Sequence, residues 1–295
     1  MTASSRTVSD LDVRLPARWG LPSSPALALP LLVILFVFFV APITNTALIS
    51  LRHGEDGLSL HQYGRFIGDD FYLGAVLTTL RVATATSIVC VIIGYPLALL
   101  MARGSPLQSR ILMIAVVIPL MVNVVVRAYG WTLILGRTGI LNTTLLELGL
   151  TTAPLRLLYN EFAVILGSVH VFLPLLVLPL RASIEKIDRR TEEAATSLGA
   201  GRASVFLWIT FPQSLPGLAA GLTLVFSLTA SSFVIPALLG GDFVKMLGPL
   251  AEEQILSVFD WEFGAAIAVV LTLLIGCSAA LIGITTGRFV RTPGG

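Results

Sequence analysis

The residues of this chain that could do chemistry are few and scattered. Ser168 and His170 offer a hydroxyl and an imidazole. Two positions apart on a 3.6-residue turn they point roughly 200° from one another, and no G-x-S-x-G surrounds them. The two lysines, Lys186 and Lys245, follow Glu185 and Val244. Neither completes the G-x-x-x-x-G-K-[ST] loop that cradles phosphates, so ATP is not bound here by that device. Cys90 and Cys277 lie far apart in apolar stretches, which suits packed thiols better than a disulfide or a zinc cage. The expectation is a protein that is not an enzyme, with no metal and no cofactor of its own.

What remains is suited to contact with a solute. Asn123, Arg127, Tyr129 and Trp131 share one apolar stretch, His170 sits in another, and Ser227, Thr229, Ser231 and Ser232 lead into Phe233 in a third. Hydroxyls beside an aromatic ring can touch a small passing molecule, and they can equally bond their own helix backbone. Arg127 can snorkel to headgroups or face a pathway, and His170 can line a wet cavity or bond a neighbouring helix.

The elements that carry these side chains follow from composition. Of 295 residues, 55% are apolar and 12% charged, against roughly 25% charged in a soluble domain. With a mean hydropathy of +0.90, so much apolar surface needs lipid in place of water. The net charge of +2, from 19 basic and 17 acidic residues, is too balanced for a nucleic-acid binder. Six nearly charge-free intervals are long enough to cross a bilayer: about 26–51, 75–101, 111–135, 162–180, 216–239 and 263–287. The fold class is therefore an all-α membrane protein of six transmembrane helices. The first interval is too long for a cleaved signal peptide. Residues 1–25 read as a polar tail, 26–290 as the transmembrane domain and 291–295 as a short second tail.

Orientation follows from lysine and arginine, which collect on the cytoplasmic side. Placing the amino terminus inside puts twelve of them inside and six outside, among the latter Arg52, Arg65 and Lys245. Both termini are expected in the cytoplasm, with lipid around the spans. None of the spans holds a deeply embedded carboxylate, so an ion-coupled carrier working alone lacks its usual acid, and an external motor becomes the better source of energy.

The longest inner connection, 181–216, carries the strongest signal. Ile187 to Leu198 reads as a short helix, with Asp188 near its start and Gly199 placed to end it. Ala194 and Ala195 give it a low-profile face, and Arg189, Arg190, Glu192 and Glu193 surround that face with charge. Beyond it, Val205, Phe206, Trp208 and Ile209 are expected to lie along the membrane until Pro212 redirects the chain.

Glu193-Ala194-Ala195, Gly199, Ile209 and Phe211-Pro212 together resemble the E-A-A-x3-G-x9-I-x-L-P motif of permease subunits of bacterial ABC importers, with Phe211 where leucine is usual. GYPLALLMAR at 94–103, VVVRAYGWTLILGRTGILN at 124–142, FLPLLVLPLRASIEKID at 172–188 and FPQSLPGLAAG at 211–221 resemble the spermidine/putrescine permease branch. The resemblance implies a type I importer permease (MetI-like) fold with a coupling helix between spans four and five. It implies that Arg190, Glu192, Glu193, Ala194, Ala195, Leu198 and Gly199 meet an ATPase subunit. It further implies two ATP-binding subunits that hold the ATP and Mg, a second homologous permease subunit in a heterodimer, and an extracytoplasmic solute-binding protein. A polyamine-like cargo is expected, with amino-acid-like compounds and organophosphonates as alternatives in the same permease role.

Overall fold

A computed structural model describes residues 29–52 and 57–290. The expected tails at 1–25 and 291–295 fall outside them, as do the first residues of the first span. The described residues form helices joined by turns and loops, with no strand beyond one isolated bridge between Arg52 and Leu58. It divides between Asn45 and Thr46 into two compact units.

The first interval becomes α1 (Leu29–Leu35), a π-turn over Phe36–Val40, and α2 (Ala41–Ser50). The π-turn has a local cause. Pro42 lacks the N–H that would close the next turn, and the backbone of Ala41 reaches back to the carbonyl of Phe36.

In the second unit, α3 (His61–Ile67) precedes α4 (Asp70–Arg103), a 34-residue helix. Asp69 starts α4, its side chain accepting from the N–H of Phe71 at 2.9 Å. After the Ser105–Gln108 capping box come α5 (Pro106–Val117), a 3-10 turn over Ile118–Met121, α6 (Val124–Leu135) and α7 (Ile140–Glu147). Next are α8 (Glu161–Glu185), α9 (Arg189–Ser197), α10 (Arg202–Val205), a π-turn over Phe206–Thr210 and α11 (Phe211–Ser231). A π-turn over Pro236–Gly240, α12 (Leu247–Leu256) and α13 (Trp261–Val290) complete the order.

Five of these stretches are long and apolar enough to cross a membrane, and a sixth is counted if a bent pair is taken as one. Two details correct the sequence reading. The third interval is not one helix: Pro106–Met121 and Val124–Glu147 meet at 100°. Pro119 confines the preceding helix to a tight turn, Val122 is extended, and Asn123 starts a new helix by accepting from the N–H of Val125 at 2.8 Å. Nor does Pro212 redirect the chain. The helix continues from Arg202 to Ser231, because the π-turn over Phe206–Thr210 passes the N–H of Phe211 to the carbonyl of Phe206 and absorbs the missing donor at Pro212. The expected break falls later, where Ser232 turns extended.

The core is a trio, α8 packed most extensively against α11 and α4. Leu176, Leu180 and Val225 are fully enclosed there, and Tyr95 of α4 is hydrogen-bonded at 2.7 Å to Ser214 of α11. Close approach depends on glycine. A Cβ on Gly221 would stand 2.9 Å from Leu176 Cα and 3.0 Å from its carbonyl oxygen, and one on Gly217 would strike Ser183 and the Pro179 carbonyl. Leu77 and Ile92 of α4 and Leu273 and Leu281 of α13 are each more than half exposed. In water that surface would be a liability, whereas hydrocarbon accepts it without cost.

Candidate functional site

The helix expected between spans four and five is α9, and its ends are built as the sequence specifies. Asp188 caps it by accepting from the N–H of Arg190 at 3.0 Å. At the other end Gly199 takes φ +87, its N–H bonds the carbonyl of Thr196, and the N–H of Ala200 bonds that of Ala195, both at 3.0 Å. This pair of bonds is a Schellman stop, and the left-handed residue it demands is the reason for glycine.

No residue of α9 is buried. Arg190, Glu193, Ala194, Leu198 and Gly199 are exposed, Leu198 to 89%. An apolar side chain that open is unusual for a surface in water. Ala195 and Glu192 are half-buried. Glu192 turns back toward the bundle, where its Oε1 accepts from Arg103 at 3.1 Å and from the Thr210 hydroxyl at 2.8 Å. Arg103, Arg189, Glu193 and Thr196 line an open cleft of about 550 Å³ beside it. Sequence reasoning missed Arg103 and Thr210, because nothing in their spacing announces a contact with a residue 89 or 18 positions away.

The residues singled out for solute contact do not form one cluster. Arg127, Ser231 and Phe233 come together, with Val124, Phe172 and Ser232, around a cleft of about 390 Å³ between α6, α8 and the end of α11. The Nε and Nη1 of Arg127 are enclosed there with no hydrogen-bond partner among the described residues. Trp131 and His170 form a pair of their own, the indole donating to the imidazole Nδ1 at 3.0 Å. Asn123 serves the backbone as the cap of α6, and the Ser231 hydroxyl also donates to the carbonyl of Ser227 at 2.8 Å. Tyr129 is exposed on α6, away from that cleft's lining. Ser168 Oγ is buried with no hydrogen-bond partner among the described residues while His170 is held by Trp131, so no hydrogen bond joins the two as a nucleophile and its base.

Long apolar spans with a cleft between them and an exposed capped helix at one end are the architecture of a membrane permease. Residues 94–286 match the family described as binding-protein-dependent transport system inner membrane component. The spermidine/putrescine transport system permease protein PotB of Haemophilus influenzae is 38% identical over 203 residues, covering 69% of this chain and 71% of that protein. PhnU of Salmonella typhimurium, named for 2-aminoethylphosphonate transport, is 30% identical over 253 residues, 84% of this chain and 87% of that one. In structure, the chain resembles a bacterial alginate ABC transporter solved with an alginate pentasaccharide-bound periplasmic protein, with a TM-score of 0.75 at 17% identity over 91% of this chain and 95% of the other. The chain belongs to this family of ABC importer permeases, in its PotB-like branch, and is a multi-pass inner-membrane protein.

Proposed function

We propose that this permease forms half of the pathway of an ATP-driven importer for a polyamine-like solute. A second homologous permease forms the other half as a heterodimer, two ATP-binding subunits drive the pair, and an extracytoplasmic binding protein feeds it. The observation that carries this reading is α9, a capped helix with none of its residues buried and with Glu193, Ala194 and Leu198 facing outward. Both termini are placed in the cytoplasm, on the side of α9, a reading that the distribution of arginine and lysine favours. ATP and Mg are held by the partner, whose closure draws the coupling helices together. That motion favours an outward-open cavity through contacts that differ between two states.

Polyamine transport is supported by the names of the PotB relatives, which are 35–38% identical. The cleft at Arg127 has no carboxylate among its lining residues. The test is reconstitution of the whole assembly in vesicles. Labelled spermidine is expected to accumulate when ATP is present, and only when the ATPase subunits are included. Uptake of 2-aminoethylphosphonate in place of spermidine would assign the cargo to the PhnU-like class. Uptake without the ATPases would overturn the permease assignment itself.

A further inference from the structure

Docking and transmission fall to different faces of α9. Because none of its residues is buried, apolar packing does not fix the helix against the bundle. Its anchor is Ile187, buried just before the cap, together with polar contacts on the inward face. Glu192 Oε1 accepts at once from Arg103 Nη2 at 3.1 Å and Thr210 Oγ1 at 2.8 Å. The same Arg103 nitrogen donates to the carbonyl of Ile187 at 3.2 Å, and Arg189 reaches the carbonyl of Ala102 at 3.4 Å. The Arg103 and Glu192 side chains are only 19% and 20% exposed, so water screens the pair less than it would an open surface pair.

One carboxylate thus joins three separate pieces of chain. Arg103 is the last residue of α4, and Thr210 closes the π-turn beneath α11. The tie therefore meets α11 at the π-turn that precedes it, a feature often found at functional sites. Above the tie, α4, α8 and α11 behave as one packed body, since Gly94 lets α4 close on Leu176 and Val177 while Gly217 and Gly221 do the same between α11 and α8.

We propose that Glu192 is a positioning residue that locks the coupling helix to α4 and α11 through Arg103 and Thr210, so that displacement of α9 moves the α4–α8–α11 body as a unit. This rests on the permease reading above, and it separates Glu192, half-buried and bonded to Arg103, from the neighbouring Glu193, which is exposed. Losing the lock leaves the ATPase bound and active but lets α9 tilt without carrying the bundle. In linkage terms, Glu192 supplies coupling between two sites and makes no contact with either ligand.

The experiment uses the full assembly in vesicles, with solute moved per ATP hydrolysed as the main readout and a spin label at exposed Ser197 as the second. Glu192→Leu is expected to keep the co-purified ATPase and its hydrolysis, to lower solute per ATP by at least about fivefold, the low end of typical coupling between linked sites, and to sharpen the Ser197 spectrum as α9 loosens. Glu192→Gln retains an acceptor oxygen and should stay within about twofold of the parent. Arg103→Met should reproduce Glu192→Leu, and the double variant should be no worse than either alone. Unchanged solute per ATP in Glu192→Leu overturns the proposal. So does loss of the ATPase to the extent seen in Glu193→Lys, which would make Glu192 part of the docking surface. Failure of the parent chain to capture any ATPase would instead overturn the permease reading.

Discussion

Trp131 and His170 are bound to each other across α6 and α8, the indole N–H donating to the imidazole Nδ1 at 3.0 Å with the rings nearly perpendicular, 5.8 Å between centroids. An Nδ1 that accepts leaves the ring proton on Nε2, so His170 is the neutral tautomer. This single bond gives α6, the short arm beyond the 100° break, a polar tie to the core helix α8.

His170→Ala leaves an indole N–H without its acceptor in a partly buried, apolar site, at a cost of about 1–3 kcal/mol. Trp131→Phe removes the donor together with the need for it. Thermal unfolding of the detergent-purified chain should therefore show the double variant less destabilised than the sum of the two single ones.

Gly199 is constrained by its backbone and not by its surroundings, since a Cβ there would meet nothing within 4 Å at φ +87. An L-residue in this left-handed conformation costs about 1–2 kcal/mol. Gly199→Ala should fray the end of α9 and weaken capture of the ATPase subunit in a pull-down, while membrane insertion is unchanged. Gly199→Asn, which tolerates the conformation better, should lie between alanine and the parent.

Gly221 presents the opposite case. Its neighbours are the Cα and carbonyl of Leu176, backbone atoms that cannot swing aside. Gly221→Ala should force α8 from α11 and cost about 1–3 kcal/mol, as overpacking does. Gly276→Ala, on a stretch of α13 with open space around it, should be neutral or slightly stabilising, because alanine favours a helix over glycine. Melting curves of the two variants side by side check the contrast.

Arg127 encloses two guanidinium nitrogens that no described residue meets. Replacing the side chain with an uncharged one of similar reach removes that desolvation cost, about 1–3 kcal/mol. Arg127→Met is expected to raise the melting temperature of the purified permease. A lower melting temperature would show that Arg127 has a stabilising partner.

Hydropathy alone located the spans, because hydrocarbon rejects charge whatever the neighbouring helices do, and the intervals near 75–101, 162–180 and 263–287 fall within α4, α8 and α13 to a few residues. The ends of α9 were equally legible, since capping by Asp188 and a left-handed stop at Gly199 are contacts between residues close in sequence. The bend at Asn123 and the uninterrupted passage through Pro212 were not, because one proline fits both a tight turn and a π-turn, and which forms depends on what its freed carbonyls meet. Gly217 and Gly221 carry a G-x-x-x-G spacing in full view, as does Gly283 with Gly287, and only packing separates them: the first pair lies against α8, whereas Gly283 has open space. Glu192 and Glu193 are the same residue type side by side, yet one is half-buried and bonded to Arg103 while the other is exposed. Partners 89 positions distant are chosen by how three helices cross, and a linear chain carries no record of that crossing until it has packed.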